Sequence, residues 1–229
     1  MRIAHLKTAV IALALGTVFL FAQKKGFWSE KPYTEWTEKE VDKLLRDSPW
    51  AKTIPLSQGP MAASQRGRGG EGEDIGGGAG AEAYRPQPKL VITWYSRPVR
   101  EAAARRLQLA DVSGAEKQIE QLLKRGDSAF YELLVVGWSP GRNPQALEAL
   151  KEGTYLQKKN KEKLLLKNVL TPQRRGDPLV LFFDARAADG SPALKPEDKE
   201  VLLVFKMGDN TIRTTFKLAD MIVNGRLEL

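Results

Sequence analysis

The sequence predicts an α+β fold with a mixed or antiparallel sheet, helices in the N-terminal half of the folded domain and a β-meander in its C-terminal half. Two observations support this prediction. Helical and strand patterns alternate from residue 89 to about residue 150, and four strand patterns then follow without an intervening helix. The chain has 229 residues, 42% of them hydrophobic, and no cysteine. Burial and hydrogen bonds must therefore stabilise its core without disulfides.

The first 22 residues have the composition of an export signal. Arg2 and Lys7 make the start basic, and residues 8–21 form an uninterrupted run of apolar or small residues. Ala22 is the small residue expected at a cleavage site. The apolar run falls short of the roughly 20 residues that span a bilayer. We therefore predict a cleaved signal peptide over 1–22 and a periplasmic or secreted protein. The alternative is an uncleaved signal that anchors the chain in the inner membrane.

Residues 23–56 are predicted to form a docking segment around one short helix. Thr37 and Glu40 have the spacing of a capping box at the start of that helix, and Trp36 before it can close a hydrophobic staple. Such a short helix is not stable alone in water. It must therefore dock, either on the chain's own C-terminal domain or on another protein. In the second case the candidate interaction residues are Trp36, Val41, Leu44 and Trp50.

Residues 57–88 are predicted to be a flexible linker. The stretch contains nine glycines and almost no large apolar side chain, so it cannot bury enough surface to offset the entropy of ordering. Its root-mean-square span is on the order of 30 Å, which lets the docking segment reach the following domain. Residues 67–72 match the dinucleotide motif G-x-G-x-x-G by chance, because no strand pattern precedes them and no helix pattern follows.

Residues 89–229 are predicted to form the α+β globular domain. Asn143 followed by Pro144 is typical of a helix start. In the last long strand Ile212 and Phe216 alternate with polar residues, which predicts one exposed face. Residues 224–225, Asn-Gly, predict a tight turn near the end. The predicted elements are a strand over 90–95, a helix over 98–109, a second capping box at 113–116, a strand over 130–138, the helix that Asn143 caps, and strands over 163–170, 179–184, 200–207 and 211–218.

The sequence predicts no catalytic residue, no metal ligand and no cofactor site. Residues 137–141 match the G-x-S-x-G motif of hydrolase nucleophiles, but His5 is the only histidine and lies within the export signal. A serine nucleophile would therefore have no histidine base. Pro140 also lacks the backbone N–H that normally helps to form the oxyanion hole. A hydrolase that uses carboxylates alone, with Asp184 or Asp209, is the least favoured hypothesis.

The positive charge is concentrated in one part of the chain. The net charge is +8, and residues 85–175 hold 18 Lys and Arg against nine Asp and Glu. Such a basic face can contact anionic lipid or acidic polysaccharide, or it can simply keep the protein soluble. Nucleic acid is disfavoured by the export signal and by the lack of a binding motif. The candidate basic surface consists of Lys158, Lys159, Lys161, Lys163, Arg174 and Arg175.

Three segments resemble a group of uncharacterised exported bacterial proteins. They are WTEKEVDKLLRDSPWAK at 36–52, ITWYSRPVREA at 92–102 and FKLADMI at 216–222. The resemblance implies an exported protein, but it implies neither an activity nor a site residue. We therefore expect a non-catalytic interaction protein whose partner is another envelope protein. Peripheral binding to an anionic envelope surface is the alternative.

Overall fold

The structure, a computed structural model, describes residues 26–56, 89–126, 128–141, 143–174 and 176–229. The predicted signal peptide over 1–22, the predicted linker over 57–88 and Arg175 of the candidate basic surface lie outside these residues. In the described part of the chain, no helix is long and apolar enough to cross a membrane.

Ten strands are present in the described residues: β1 (Ala51–Pro55), β2 (Lys89–Trp94), β3 (Phe130–Val136), β4 (Tyr155–Lys158), β5 (Lys163–Leu170), β6 (Leu179–Asp184), β7 (Glu200–Met207), β8 (Asn210–Lys217), β9 (Ile222–Val223) and β10 (Arg226–Leu227). The first eight form one antiparallel sheet in the order β1-β2-β3-β6-β5-β4-β7-β8. β5 pairs with β4 at its start and with β6 at its end, and its register shifts between Leu166 and Asn168. Together with the helices, this sheet confirms the predicted α+β class.

Five helices precede β4 in the described residues: α1 (Phe27–Glu30), α2 (Glu38–Arg46), α3 (Arg97–Leu109), α4 (Glu116–Lys124) and α5 (Pro144–Gly153). Short 3-10 turns occupy Tyr33–Glu35, Pro196–Asp198 and Leu218–Met221. The predicted capping box opens α2, because Glu40 N donates to Thr37 Oγ1 and Thr37 N donates to Glu40 Oε2. At the predicted start of α5, Asn143 Oδ1 accepts a hydrogen bond from Gln145 N. The helices therefore precede most strands, as the sequence predicts.

The predicted second capping box at 113–116 is wrong. It requires Gly114 and Ala115 to be the first two helical residues, but α4 begins at Glu116 and Gly114 has a left-handed φ of 76°. Ala115 precedes the helix without a side-chain cap. The backbone closes the connection instead, because Ala115 N donates to the carbonyl oxygen of Val112 over 3.1 Å.

The docking segment packs into the same core as the C-terminal domain. β1 pairs with β2 along its whole length, with Ala51 opposite Thr93. Trp50 Nε1 donates to the carbonyl oxygen of Glu228 over 2.6 Å, which ties the segment to the C-terminal residues. Trp28 meets the Trp50 ring edge to face at 5.3 Å. Residues on both sides of the predicted linker therefore build one hydrophobic core.

Candidate functional site

The predicted interaction face lies inside the protein. Trp36, Val41, Leu44 and Trp50 are each at most 1% exposed and belong to the hydrophobic core. Of the two docking alternatives that the sequence leaves open, the structure has α2 on its own chain. A partner could contact these four side chains only if α2 left the core.

The candidate basic surface is divided between the two ends of β5. Its lysines lie at the β4–β5 turn, whereas Arg174 lies in the β5–β6 connection. Lys158 pairs with Glu162 at 3.2 Å, and Lys163 Nζ lies 4.2 Å from the centre of the Tyr155 ring. The hydrogen bond from Lys158 lowers the pKa of the Glu162 carboxyl. Three of the four lysines at this turn, Lys159, Lys161 and Lys163, are exposed, whereas Lys158 is partly buried.

The carboxylates of the hydrolase hypothesis are not brought together. Asp184 ends β6 and lies 3.7 Å from Lys167 Nζ, while Asp209 lies in the β7–β8 turn. β5 and β4 separate β6 from β7 in the sheet. Among the described residues, no three acidic side chains are grouped in a way that could hold a metal ion.

The G-x-S-x-G match at 137–141 has a conformational basis. Gly137 has a φ of 102°, and a Cβ there would lie 2.3 Å from the carbonyl oxygen of Lys89, so only glycine fits. Ser139 Oγ accepts a hydrogen bond from Gly141 N over 3.2 Å, as in a turn. Trp138 packs edge to face on Phe205 at 5.4 Å. Gly137 and Ser139 therefore shape the turn, and Trp138 contributes to the packing.

A cleft of about 480 Å³, here called the arginine cleft, lies where the start of α3, the start of β3 and the C-terminal residues meet. Its volume is within the range of small-molecule sites. Two glutamates, Glu132 and Glu228, line it beside an apolar wall that includes Phe130, Tyr131 and Leu194. The basic residues that line it are Arg97, Arg100, Arg125, Arg186, Lys195 and Arg226. The arginine cleft therefore has a marked excess of positive charge.

Arg97 is held at the first turn of α3 by two carboxylates. Its Nε and Nη2 atoms donate to Glu228 Oε1 over 3.3 and 3.1 Å, and its Nη1 atom donates to Glu101 Oε1 over 3.3 Å. Burial alone would lower the pKa of the Arg97 guanidinium, but the hydrogen bond and charge of Glu228 outweigh it and raise the pKa. Burial raises the pKa of the Glu101 carboxyl, against the opposing effect of Arg97. The Arg97 guanidinium is therefore fixed and charged.

Arg125 is fixed from three sides, just beyond the end of α4. It forms an ion pair with Glu132, a residue of β3 that is 8% exposed. Its guanidinium lies over the Tyr95 ring, 5.1 Å from the centroid. Its backbone carbonyl accepts a hydrogen bond from Arg100 Nη1 over 2.5 Å. This arginine, which lines the cleft, is therefore preorganised.

Arg100 donates to backbone oxygens and not to a carboxylate. Its Nη1 atom donates to the carbonyls of Leu122 and Arg125, which caps the C-terminal end of α4. Burial lowers the pKa of its guanidinium, but arginine keeps its charge in proteins. Among the described residues, no carboxylate hydrogen-bonds to Arg100. Within α3, Arg97 and Arg106 pair with carboxylates of the described residues, whereas Arg100 and Arg105 do not.

Three buried polar atoms without hydrogen-bond partners belong to residues of the segment from the end of β2 to the first turn of α3. Within the described part of the chain they are Trp94 Nε1, Ser96 Oγ and Arg100 Nε. Ser96 is 1% exposed and precedes α3 as its N-cap residue, yet its side chain caps no backbone N–H. An unsatisfied buried donor costs about 1–3 kcal/mol. In native proteins such groups are explained by strain, by a catalytic role or by a bound water or ion.

Sequence reasoning did not predict the arginine cleft. The one available signal was the spacing of Arg97 and Arg100, three residues apart at a helix start. The other walls come from positions that are distant in sequence, such as Lys195 and Glu228.

No protein family, curated protein or solved structure matches the chain in comparisons with known proteins. The geometry of the cleft is therefore the basis on which we propose a function below.

Proposed function

We propose that this chain is an exported, non-catalytic binding protein of the periplasm or the extracellular medium, and that the arginine cleft binds a small anionic ligand. The observation that carries the proposal is the lining of the cleft, with six basic residues against two glutamates. A concave site with convergent positive charge favours an anion through direct hydrogen bonds and through its electrostatic field.

Preorganisation of the guanidinium groups supports binding. Arg97, Arg100 and Arg125 each have hydrogen bonds or ion pairs that fix their orientation before a ligand arrives. Less side-chain entropy is lost on binding when the groups are already ordered. Glu132 and Glu228 each form an ion pair with an arginine, so these carboxylates serve to orient the guanidinium groups. We therefore favour recognition over proton transfer.

A charge-matched pair of variants tests the proposal. Arg186→Gln with Lys195→Gln removes two positive charges from the cleft, whereas Lys159→Gln with Lys161→Gln removes two from the β4–β5 turn. Isothermal titration calorimetry with inorganic phosphate and with 3-phenylpropionate measures anion binding. We expect the cleft variant to weaken binding of whichever anion the protein binds by at least fivefold, and the turn variant to bind as the unchanged protein does. If both variants lost anion affinity equally, the arginine cleft would not be a specific binding site.

Peripheral binding to an anionic envelope surface is a second candidate, favoured by the exposure of Lys159 and Lys161. This attachment would be electrostatic and would therefore weaken with salt. Sedimentation with anionic lipid vesicles tests it: moderate salt and the Lys159→Gln, Lys161→Gln variant should both release the protein. If salt did not weaken vesicle binding, this electrostatic attachment would be contradicted.

A further inference from the structure

We propose that the ligand of the arginine cleft is a small organic carboxylic acid with an apolar body. Its carboxylate binds at the amino end of α3, where it replaces the Glu228 carboxylate on Arg97. This inference rests on the proposed anion-binding function and adds the class of ligand and the position of its acidic group.

The first turn of α3 places two arginines on one side of the cleft, Arg97 and Arg100. Pro98 between them has no backbone N–H, and Arg100 N donates to the carbonyl oxygen of Ser96 within the helix. The guanidinium groups and not the helix backbone are therefore the main donors here. Among the described residues, the buried Nε of Arg100 has no hydrogen-bond partner, which indicates a place for an acceptor beside the cleft.

The guanidinium group of Arg97 already binds a carboxylate. Two nitrogen atoms of its guanidinium, Nε and Nη2, donate to the same oxygen of Glu228. The planar fork of arginine matches a carboxylate, so a ligand carboxylate fits the position that Glu228 holds. The Glu228 backbone is fixed separately, because its carbonyl accepts from Trp50 Nε1 and its N–H donates to Met221 O. Its side chain can therefore leave Arg97 without unfolding the C-terminal residues.

The apolar wall distinguishes an organic acid from inorganic phosphate. Phe130, Tyr131, Leu194 and Leu227 line the same cleft as the arginines. The Tyr131 hydroxyl accepts a hydrogen bond from Leu194 N over 3.1 Å, which fixes this part of the wall. Tyr131 and Leu194 are already buried, so the surface that a ligand can cover is mainly that of Phe130 and Leu227. An aromatic or aliphatic body would cover it, whereas phosphate would leave it in contact with water. The cleft therefore favours a ligand with an acidic end and an apolar end.

Four probes test the two ends of the ligand separately by isothermal titration calorimetry on the whole protein. They are 3-phenylpropionate, propionate, the neutral 3-phenylpropionamide and inorganic phosphate. We expect 3-phenylpropionate to bind at least tenfold more tightly than each of the other three, because only it has both the charge and the apolar body. Phosphate binding that equals or exceeds it would overturn the organic-acid assignment.

Two variants test the position of the carboxylate with the same probe. Glu228→Gln removes the competing charge from Arg97, so 3-phenylpropionate should bind about threefold to tenfold more tightly. Arg97→Gln removes the guanidinium that would hold the carboxylate and should weaken binding at least tenfold. Arg106→Gln is the matched control, since Arg106 belongs to the same helix but does not line the cleft and should leave binding unchanged.

Failure of this inference is distinguishable from failure of the proposed function. If phosphate binds and the Arg186→Gln, Lys195→Gln variant weakens it, the cleft binds anions but the ligand class is wrong. If 3-phenylpropionate binds and neither Glu228→Gln nor Arg97→Gln changes its affinity, the position of the carboxylate is wrong. If no probe binds with an affinity that the cleft variant changes, both proposals fail.

Discussion

Glu40 is the single residue whose ionisation most directly affects the start of α2. Its carboxylate accepts hydrogen bonds from Lys31 Nζ and from the Thr37 backbone N–H, both over 2.9 Å. The hydrogen bond from Lys31, followed by that from the Thr37 amide, lowers the pKa of the Glu40 carboxyl from 4.5 to about 2. A carboxyl whose pKa is lower in the folded state stabilises the protein while it is ionised. Its contribution is therefore complete above about pH 5 and is lost as the pH falls towards about 2.

Glu40→Gln should lower the free energy of unfolding at pH 7 by about 1 kcal/mol, because the amide can still cap α2 but carries no charge for Lys31. Urea denaturation at pH 7 and near pH 2 measures the difference from the unchanged protein, which should shrink at the lower pH. Glu38→Gln is the control, since Glu38 lies in the same turn outside the capping box. A difference that stays the same at both pH values would contradict this pKa.

At the scale of elements, long strands and well-capped helices were predictable and short strands were not. The strands at 163–170, 179–184 and 200–207 have the predicted bounds, because β-branched and apolar residues fill them and turn residues flank them. Asn224 and Gly225 both have positive φ, as the predicted tight turn between β9 and β10 requires. β1 and β4, with five and four residues, were not predicted. Such short strands depend on pairing with a distant strand, which local patterns do not contain.

The arginine cleft could not be predicted for a similar reason. Arg97 and Glu228 form an ion pair although 131 residues separate them in sequence. The sequence instead directed attention to dense local clusters such as Lys158 to Lys163, where charges are close along the chain. In the fold, two of those lysines contact neighbouring side chains at the β4–β5 turn. Charge density along the sequence and charge convergence in space are therefore different properties.

The packing of α2 makes a prediction that separates the two docking alternatives. Trp36→Ala should lower the free energy of unfolding by about 3–5 kcal/mol, because the ring is fully buried and a cavity would replace it. Lys39→Ala, at an exposed position of α2 shortly after Trp36, should change it by less than about 0.5 kcal/mol. Thermal and urea denaturation of the full chain provide both values. If Trp36→Ala left the melting of the whole protein unchanged, α2 would be a detachable interaction helix after all.

At the scale of the whole molecule, the core and the arginine cleft depend on the same long-range contacts. Trp50 reaches the backbone of Glu228, and the side chain of Glu228 reaches Arg97 at the start of α3. The docking segment and the first helix of the C-terminal domain are therefore linked through Glu228, which lines the cleft. A ligand that binds here should stabilise the folded chain, because it binds the folded state and not the unfolded one.

Nuclear magnetic resonance mapping tests the binding role of the arginine cleft most directly. The full chain, labelled with nitrogen-15, is titrated with 3-phenylpropionate while the backbone amide signals are followed. We predict that the largest shifts occur at residues 95–100, 128–132 and 225–228, which line or adjoin the cleft. Shifts that concentrate at residues 158–163 or along α2, or the absence of saturable shifts, would contradict the cleft as the binding site.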